Sequence, residues 1–429
     1  MRFPLKLFKG YGLELEYMIV DRTTLNVKPI TDKILATVAG ETVNEWADGE
    51  IAWSNELVNH VLEFKTNGPS PTLSGLSSLF QKQVQRANQL LEFFNAMLLP
   101  TGMHPWMNPK IETQLWKHDN KEVYNAYDRI FGCHHHGWAN IQSTQINLPF
   151  GSELEFVRLN TAIRIVTALT PSLAASTPLM DGVLTGLSDT RLSVYHENQK
   201  IIPSITGDII PEVVNSIDEY FDLVLKPMYK AIKYYDRDNI LQHEWLNSRG
   251  AIARFERGAI EMRLMDSQEC PLAEIAVCAA LVAAVKALSE ERWVSLKTLQ
   301  RVSLESLQET LQAGIQKGSW AMIDDPLLLR VFGFSGKRRM RSGDLWDHLI
   351  RVLLGTDITK EGWNKALRTI ILEGTLAQRM VKTLGKNPDR QKIKILYQEL
   401  AHCLQYGELY HPKPEIEEES QIEEVADAL

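Results

Sequence analysis

Two glutamates stand two residues apart in an otherwise apolar run near the N-terminus, GYGLELEYMIVD at 10–21. Alternate residues of a β-strand point to the same face, so Glu14 and Glu16 would lie side by side, with apolar residues on the opposite face. Neighbouring carboxylates repel each other, and burial makes their charges more costly. Divalent cations such as Mg²⁺ or Mn²⁺ take oxygen ligands and would relieve that cost. Taken alone, an E-x-E pair is more typical of a solvated strand face.

Acids and amides recur in three further strand-like segments. They are Glu56 and Glu63 in 56–66, Gln145 and Asn147 in 139–150, and Glu261, Arg263 and Asp266 in 256–268. Glu56 and Glu63 are seven apart, so they would share a site only through a bulge or if the strand began after Glu56. Glu261 and Arg263 could equally form a cross-strand ion pair. The four segments together, rather than any single pair, indicate a metal site.

The histidine run in CHHHGWAN suggests a different metal chemistry. His134 and His136 would share a strand face, and histidine is a common ligand of transition metals. A catalytic zinc site requires a third ligand, for which His104 is the nearby candidate. A run of histidines beside a tryptophan is more typical of a loop with structural hydrogen bonds, so the zinc interpretation ranks below the carboxylate one.

The charge of the chain gives no indication that the protein binds nucleic acid. The formal net charge is −8 over 429 residues, and the segment PEIEEESQIEEVADAL at 414–429 contributes seven acids and no base. The rest of the chain is therefore nearly neutral and has no basic footprint. We expect 413–429 to be an acidic, disordered tail.

Cysteine usage and the apolar segments predict a cytoplasmic protein that does not enter a membrane. The four cysteines have no CxxC spacing, which is typical of reduced thiols. The N-terminus has no signal-peptide pattern. The longest apolar run, at 275–285, is shorter than the ~20 residues of a transmembrane helix.

The elements that would position these side chains are antiparallel-looking strands interleaved with helices. Strands are predicted at 13–20, 56–66, 139–150 and 256–268, and helices at 74–99, at 153–170 and over most of 271–412. A loop rich in Gly, Ser and Thr occupies 178–193. This order predicts an α+β fold with a helical C-terminal third. No G-x-G-x-x-G or P-loop sequence occurs, so a Rossmann or Walker-type site is unsupported.

Six segments in this order resemble the glutamate–cysteine ligase and carboxylate–amine ligase family. They are GLELE, ELVNHVLEFKT, TGMHPW, TQINLPF, TPSLAASTPLMDGVLTGLSDTR and AIEMRLMD, within residues 10–270. The likeness continues loosely at 374–385 and 396–404. It implies a glutamine-synthetase-like fold, in which a curved, mostly antiparallel sheet forms an active-site funnel flanked by helices. One catalytic domain would span 1–412, sheet-rich to 270 and helical from 271.

The resemblance also implies roles for individual residues. Metal ligands would be Glu14, Glu16, Glu56, Glu63, Gln145 and Glu261; catalytic residues would be Arg191, Arg263 and Glu261; and the nucleotide would contact Arg191, Arg263 and Asn147. The implied cofactors are ATP and Mg²⁺, with Mn²⁺ as an alternative. Many relatives have histidine in the third motif strand, where this chain has Gln145 and Asn147, and so a histidine-based metal role there is in doubt.

The activity implied by the resemblance is ligation of a carboxylate to an amine. ATP would phosphorylate the carboxylate, and the amine would then displace phosphate from the acyl phosphate. Glutamate and cysteine are the expected substrates, giving γ-glutamylcysteine for glutathione-type thiol synthesis, and small molecules are the expected partners. The alternatives are a ligase for another amine, a metal-dependent hydrolase that uses the same acids, and a non-catalytic relative.

Overall fold

The computed structural model describes residues 3–355 and 361–412, and the acidic segment 413–429 lies outside the described residues. The strands are β1 (Gly12–Asp21), β2 (Glu45–Asp48), β3 (Ile51–Asn55), β4 (Val61–Thr66), β5 (Ala96–Leu99), β6 (Ser143–Pro149), β7 (Leu179–Met180), β8 (Val183–Leu184), β9 (Ala251–Arg254), β10 (Ala259–Asp266), β11 (Met322–Ile323) and β12 (Met340–Arg341).

Helices connect these strands and make up most of the C-terminal third. They are α1 (Thr31–Ala39), α2 (Leu76–Glu92), α3 (Pro109–Glu112), α4 (Lys121–Phe131), α5 (His136–Ala139), α6 (Glu153–Thr167), α7 (Pro171–Ala174), α8 (Thr190–Tyr195), α9 (Pro203–Thr206), α10 (Ile217–Tyr220), α11 (Lys226–Ile232), α12 (Pro271–Ser289), α13 (Leu296–Leu299), α14 (Leu304–Lys317), α15 (Pro326–Val331), α16 (Ser342–Leu353), α17 (Trp363–Glu373), α18 (Leu376–Leu384) and α19 (Arg390–Tyr406). A π-helical turn at Phe221–Leu225 and 3₁₀ turns at Glu244–Leu246 and Gly318–Trp320 complete the set.

One eight-stranded sheet organises the first two thirds of the chain. Its order is β2-β3-β4-β1-β6-β10-β9, and β5 also pairs with β1. All of these pairs are antiparallel. The predicted α+β class, with a mainly antiparallel sheet and a helical C-terminal part, is therefore confirmed.

Strand β1 lies inside the sheet and separates two chemically different faces. Leu13, Leu15, Tyr17 and Ile19 are fully buried in the main hydrophobic core. The residues between them face the other way, because side chains alternate along a strand. The apolar face is covered by helices, among which α12 is buried along most of its length. The second face carries Glu14 and Glu16 near the start of β1, whereas Met18 and Val20 farther along the strand belong to a second hydrophobic cluster.

By length and composition, one helix in the described part of the chain, α12, could cross a bilayer, but 83% of its most apolar window is buried within the protein. It packs against α2, α6, α16 and α17. Burial on this scale is what a core helix needs, since each buried aliphatic side chain adds roughly 1.5–3 kcal/mol of hydrophobic stabilisation.

The segment predicted as one helix at 74–99 contains two elements, α2 and β5. Asn95 has a positive φ of 49°, which an α-helix does not accommodate, and the chain turns there. Residues 96–99 then pair with β1 at Met18–Asp21. A short apolar run such as AMLL fits a helix or a strand equally well, so pairing across the sheet decided the outcome.

Glu274, in the first turn of α12, joins the helix to the sheet from below. Its carboxylate accepts hydrogen bonds from the hydroxyl of Tyr17 on β1, from Oγ1 of Thr144 on β6 at 3.2 Å and from the backbone N–H of Gln268 at 3.1 Å. All four residues are buried. A carboxyl group in this position needs its donors, because an unmade hydrogen bond in the interior is costly.

Tyr17→Phe should lower the free energy of unfolding by about 1–2 kcal/mol, because it leaves one Glu274 oxygen without a donor. Urea unfolding followed by circular dichroism measures this change. Tyr234→Phe is the matched control, because Tyr234 is 87% exposed and should unfold like the wild type. Equal unfolding midpoints for both variants would contradict the role given to Tyr17.

Candidate active site

The polar face of the sheet opens into a cavity of about 770 Å³. Its charged lining includes the acids Glu14, Glu16, Glu56, Glu63 and Glu261 and the cations Lys65, Arg191, Arg254, Arg257 and Arg263. Every residue to which the family resemblance gave a catalytic, nucleotide-binding or metal-binding role lines this cavity. Those predictions therefore converge on one place in the fold, although their individual roles stay predictions.

The strand register explains why these side chains meet. Glu16 on β1 lies opposite Glu63 on β4, and Glu14 lies opposite Gln145 on β6. Asn147 on β6 lies opposite Glu261 on β10. Paired residues of an antiparallel sheet point to the same side, so these contributions from four strands share one face.

Glu56 reaches the site from outside a strand. Strand β3 ends at Asn55 and β4 begins at Val61, so the single strand predicted at 56–66 is wrong in its first five residues. Glu56 is the first residue of the connection between the two strands, which is one of the two arrangements expected to bring it onto the face of Glu63. The odd, seven-residue spacing between Glu56 and Glu63 thus arises because Glu56 precedes the strand that carries Glu63.

Carboxylate oxygens of Glu16, Glu56 and Glu63 all lie within 4.8 Å of one another. Three oxygen donors at this separation suit a hard divalent cation such as Mg²⁺ or Mn²⁺. Glu14 lies beside Glu16 on the same face of β1. We refer to Glu14, Glu16, Glu56 and Glu63 as the acid cluster.

The acid cluster holds its charge at a high cost in the absence of a cation. Burial, together with repulsion from neighbouring glutamates, raises the pKa of Glu14, Glu16 and Glu56 to about 8. Burial and the Glu56 charge raise the pKa of Glu63 to about 7. Such shifts in a cavity are typical of functional sites, since a protein that only needed a fold would not crowd like charges.

Glu261 differs from the acid cluster because arginines compensate its charge. Arg254 donates from Nη1 to its Oε2 at 2.9 Å, and Arg263 donates from Nη2 and Nε to its Oε1. Burial opposes the charge of Glu261, but Arg263, Arg254 and Arg257 outweigh burial, so the pKa of Glu261 is lowered. Both oxygens of Glu261 thus accept from arginines, and its role as a metal ligand stays a prediction.

Arg191 is held in the cavity wall by a second buried carboxylate. Its Nε donates to Asp266 Oδ1 at 2.5 Å and its Nη2 donates to the carbonyl of Leu264 at 2.7 Å. Asp189 caps the short helix α8 that carries Arg191 and accepts from the backbone N–H of Leu192. Two of the guanidinium nitrogens are thereby bonded, which fixes the guanidinium group in the wall of the cavity.

The two amides of β6 donate to the acid cluster. Gln145 Nε2 lies 2.7 Å from Glu16 Oε1, and Asn147 Nδ2 lies 3.2 Å from Glu14 Oε1. The backbone N–H of Ser143 also donates to Glu16, at 2.8 Å. In this arrangement Gln145 and Asn147 fix the positions of the carboxylates. The predicted metal-ligand role of Gln145 and nucleotide-contact role of Asn147 stay untested.

A model of the family described as glutamate–cysteine ligase family 2 matches residues 11–389 of this chain. An uncharacterized protein of Archaeoglobus fulgidus is 32% identical over 399 residues, which cover 93% of this chain and 99% of that protein. This chain belongs to glutamate–cysteine ligase family 2. The resemblance that six sequence segments indicated is confirmed, and membership of the family supports a carboxylate–amine ligase.

Two solved structures match this member of glutamate–cysteine ligase family 2. One is a glutamate–cysteine ligase from Francisella tularensis in complex with AMP, with a TM-score of 0.61, 14% identity and coverage of 94% of this chain and 90% of that chain. The other is the ligase PafA in its complex with the ubiquitin-like protein Pup, with a TM-score of 0.37, 12% identity and coverage of 91% and 75%. The first agrees with the predicted ligase fold.

Three cations of this family member were missed by the sequence analysis: Lys65, Arg254 and Arg257. Lys65 follows Glu63 by two residues and shares its strand face, a signal that the sequence contained. Arg254 and Arg257 lie at the turn between β9 and β10, and β9 was not predicted. Arg257 lies 4.0 Å from Glu14 Oε1. The missed residues are therefore the counter-charges of the acids that were identified.

The histidines near β6 do not join the acid cluster. His136 lies 3.1 Å from Asp181 and also contacts Asn140, whereas His104 is buried against the carbonyl of Leu25. Among residues 3–355 and 361–412, the group of three or more potential metal ligands contains only glutamates. The histidine-based zinc site therefore has no counterpart in the described part of the chain.

Glu16→Gln should stabilise the metal-free protein, and more so at higher pH. The folded-state pKa of Glu16, about 8, lies above its ordinary value of 4.5, so its contribution to stability is present at low pH and is lost as the pH rises through 8. Glutamine carries no charge at any of these pH values, so the variant should not lose this stability as the pH rises. We expect a gain of roughly 1–3 kcal/mol at pH 8.5 and little gain at pH 5.5.

Urea unfolding in the presence of a chelator measures this difference. Glu50→Gln is the control, because Glu50 is exposed at the turn between β2 and β3 and this variant should unfold like the wild type. A Glu16→Gln protein that is less stable than the wild type at pH 8.5 would mean that Glu16 is not strained by its neighbours.

Proposed function

We propose that this protein is an ATP- and Mg²⁺-dependent ligase that joins the γ-carboxylate of glutamate to the amino group of cysteine. The product would be γ-glutamylcysteine, a precursor for glutathione-type thiol synthesis. The observation that carries the proposal is the acid cluster, four carboxylates with raised pKa values in one cavity, with guanidinium groups in the same lining. Family membership supports the class of reaction.

The proposed reaction has two steps that balance in atoms and charge. An oxygen of the γ-carboxylate attacks the γ-phosphorus of ATP, and the bond from that phosphorus to the bridging oxygen breaks to release ADP. The amine nitrogen then attacks the acyl carbon, the carbon–oxygen bond to phosphate breaks, and the nitrogen loses a proton. Both steps gather negative charge on phosphoryl oxygens, so catalysis depends mainly on positioning and charge neutralisation.

Glu16, Glu56 and Glu63 are the residues that would hold Mg²⁺, with Glu14 next to them. A bound Mg²⁺ supplies positive charge to phosphoryl oxygens and orients them. Gln145 and Ser143 keep the Glu16 carboxylate in place through the hydrogen bonds that it accepts.

Arginines would neutralise the transferred phosphoryl group or a substrate carboxylate. Arg263 is oriented by Glu261, and Arg191 is oriented by Asp266. Because each guanidinium is already paired with a buried carboxylate, it loses little conformational freedom when a ligand arrives. Planar guanidinium groups suit the paired oxygens of phosphate and carboxylate. ATP as co-substrate draws support from the AMP bound to the Francisella ligase.

The acceptor amine would meet an aromatic part of the cavity wall. Aromatic side chains of Tyr124, Trp138 and Trp245 line the cavity beside the polar sheet face. They provide an apolar surface for an amino-acid side chain such as that of cysteine. A ligase for another amine would keep the same acid cluster and arginines, and it is the alternative to cysteine. The cytoplasm is the expected location.

ADP release measured with Mg²⁺-ATP, glutamate and a panel of amines tests the function, with product masses read in parallel. We expect release to require both glutamate and cysteine and the product mass to be that of γ-glutamylcysteine. Release with a different amine would overturn the choice of cysteine and retain the ligase chemistry. Hydrolysis of a test ester or phosphate without ADP release would instead favour the metal-dependent hydrolase.

Mg²⁺ should raise the melting temperature more at pH 8 than at pH 6. Metal binding displaces the protons that the acid cluster retains up to pH 7–8, so the apparent affinity should rise by roughly tenfold per pH unit for each proton displaced. Thermal unfolding at several Mg²⁺ concentrations measures this effect. Glu63→Gln is the comparison, and it should lose most of the Mg²⁺ response. An equal response in both proteins would contradict a metal site at the acid cluster.

A further inference from the structure

Lys65 places a positive charge directly against the acid cluster. Its Nζ lies 3.4 Å from Oε1 of Glu63. The strand register puts Lys65 opposite Glu14 and two residues after Glu63, so its side chain shares the cavity face with both. Lys65 also lowers the pKa of Glu14, Glu56 and Glu63 against the larger effect of burial. Its charge therefore acts on three of the four members of the acid cluster.

Lys65 has a second and closer partner outside the acid cluster. Its Nζ lies 2.7 Å from Oε2 of Glu45 on β2. Glu45, Ser54 and Glu63 occupy matching positions on β2, β3 and β4, so the ammonium group spans from the inner strand to the edge of the sheet. The Glu45 side chain is 51% exposed, whereas that of Glu63 is 6% exposed. Lys65 can thus give up Glu63 and remain paired.

A divalent cation held by Glu16, Glu56 and Glu63 would lie within a few ångströms of this ammonium group. Two positive charges at such a distance repel each other strongly, and the repulsion is screened little in a partly buried site. Glu63 is both the acid that Lys65 contacts and a member of the group of potential metal ligands. Lys65 and the cation therefore compete for the same carboxylate.

We propose that Lys65 is the resident counter-ion of the acid cluster, which competes with the divalent cation for Glu63 and transfers to Glu45 when the cation binds. The proposal rests on the metal site of the proposed function. It assigns Lys65 a positioning role: the lysine reduces the affinity for free metal and keeps the acid cluster partly neutralised in its absence. The pair of Glu45 and Lys65 would then set how tightly the site holds its cation.

Calorimetric titration of the metal-free, full-length protein with Mn²⁺ at constant pH tests this proposal. Lys65→Met retains the length of the side chain and removes its charge. We expect Mn²⁺ to bind roughly tenfold more tightly to this variant than to the wild type. Lys65→Gln should show the same direction of change and serves if the methionine variant does not fold.

Lys28→Met is the matched control. Lys28 pairs with Asp21 at 3.3 Å, and its side chain is 30% exposed, close to the 27% of Lys65, but it lies outside the cavity. This variant loses the same charge, and its Mn²⁺ affinity should equal that of the wild type. Equal tightening in both lysine variants would mean that net charge alone is responsible, and it would overturn the proposal.

The role of Glu45 is tested by a double-mutant cycle. Glu45→Gln should weaken Mn²⁺ binding in the wild-type background, because Lys65 then has only Glu63 as a partner. In the Lys65→Met background the same substitution should have a much smaller effect. An equal loss in both backgrounds would show that Glu45 acts directly on the metal and would refute the transfer.

The wild-type titration distinguishes a failure of the metal site from a failure of the counter-ion role of Lys65. If the wild type and all of its variants fail to bind Mn²⁺, the metal site itself is wrong and the proposal falls with it. If the wild type binds Mn²⁺ and Lys65→Met binds it with unchanged affinity, the counter-ion role is wrong and the metal site stands.

Discussion

The mutual repulsion of buried carboxylates is the constraint on which the rest of the site depends. Glu14, Glu16 and Glu63 cannot separate, because the pairing of β1 with β4 fixes them on one face. Their charges are instead balanced by what surrounds them: the donors of β6, the ammonium of Lys65 and, in the proposed function, a divalent cation. The apolar core beneath β1 holds the strands together against this repulsion.

The same sheet therefore serves two opposed purposes. One face gains stability from hydrophobic burial, and the other stores electrostatic strain that a ligand can relieve. On the apolar face, Glu274 joins α12 to the sheet, since its carboxylate bonds to β1, β6 and the segment after β10. The guanidinium groups of Arg191 and Arg263 differ from the acid cluster, because each is paired with a buried carboxylate. In the proposed function, that carboxylate orients the guanidinium group toward an anionic ligand.

Much of this arrangement could be predicted from sequence because it depends on strand periodicity. The alternation in β1, β6 and β10 was enough to group Glu14, Gln145, Asn147 and Glu261. The sequence could not show which strands become neighbours, and β2, β3, β5 and β9 were not predicted. Because β2 and β9 were missed, Glu45 and Arg254, the charged partners that they carry, were missed as well. Residue spacing alone left two arrangements open for Glu56, a bulge or a position before the strand, because the choice depends on where the connection between β3 and β4 begins.

Strands and connections contribute different parts of the cavity, and this limits how the fold can diversify. The carboxylates come from paired strands and the turn beside them, where the deletion of one residue from β1 would turn Glu14 and Glu16 into the core. The aromatic wall of the cavity comes from α4, α5 and the 3₁₀ turn at Glu244–Leu246, which lie outside the sheet. Insertions or substitutions in those connections would reshape the acceptor side without disturbing a single strand pairing. In the proposed function, such a scaffold allows the amine to change while the phosphoryl chemistry of the sheet face is kept.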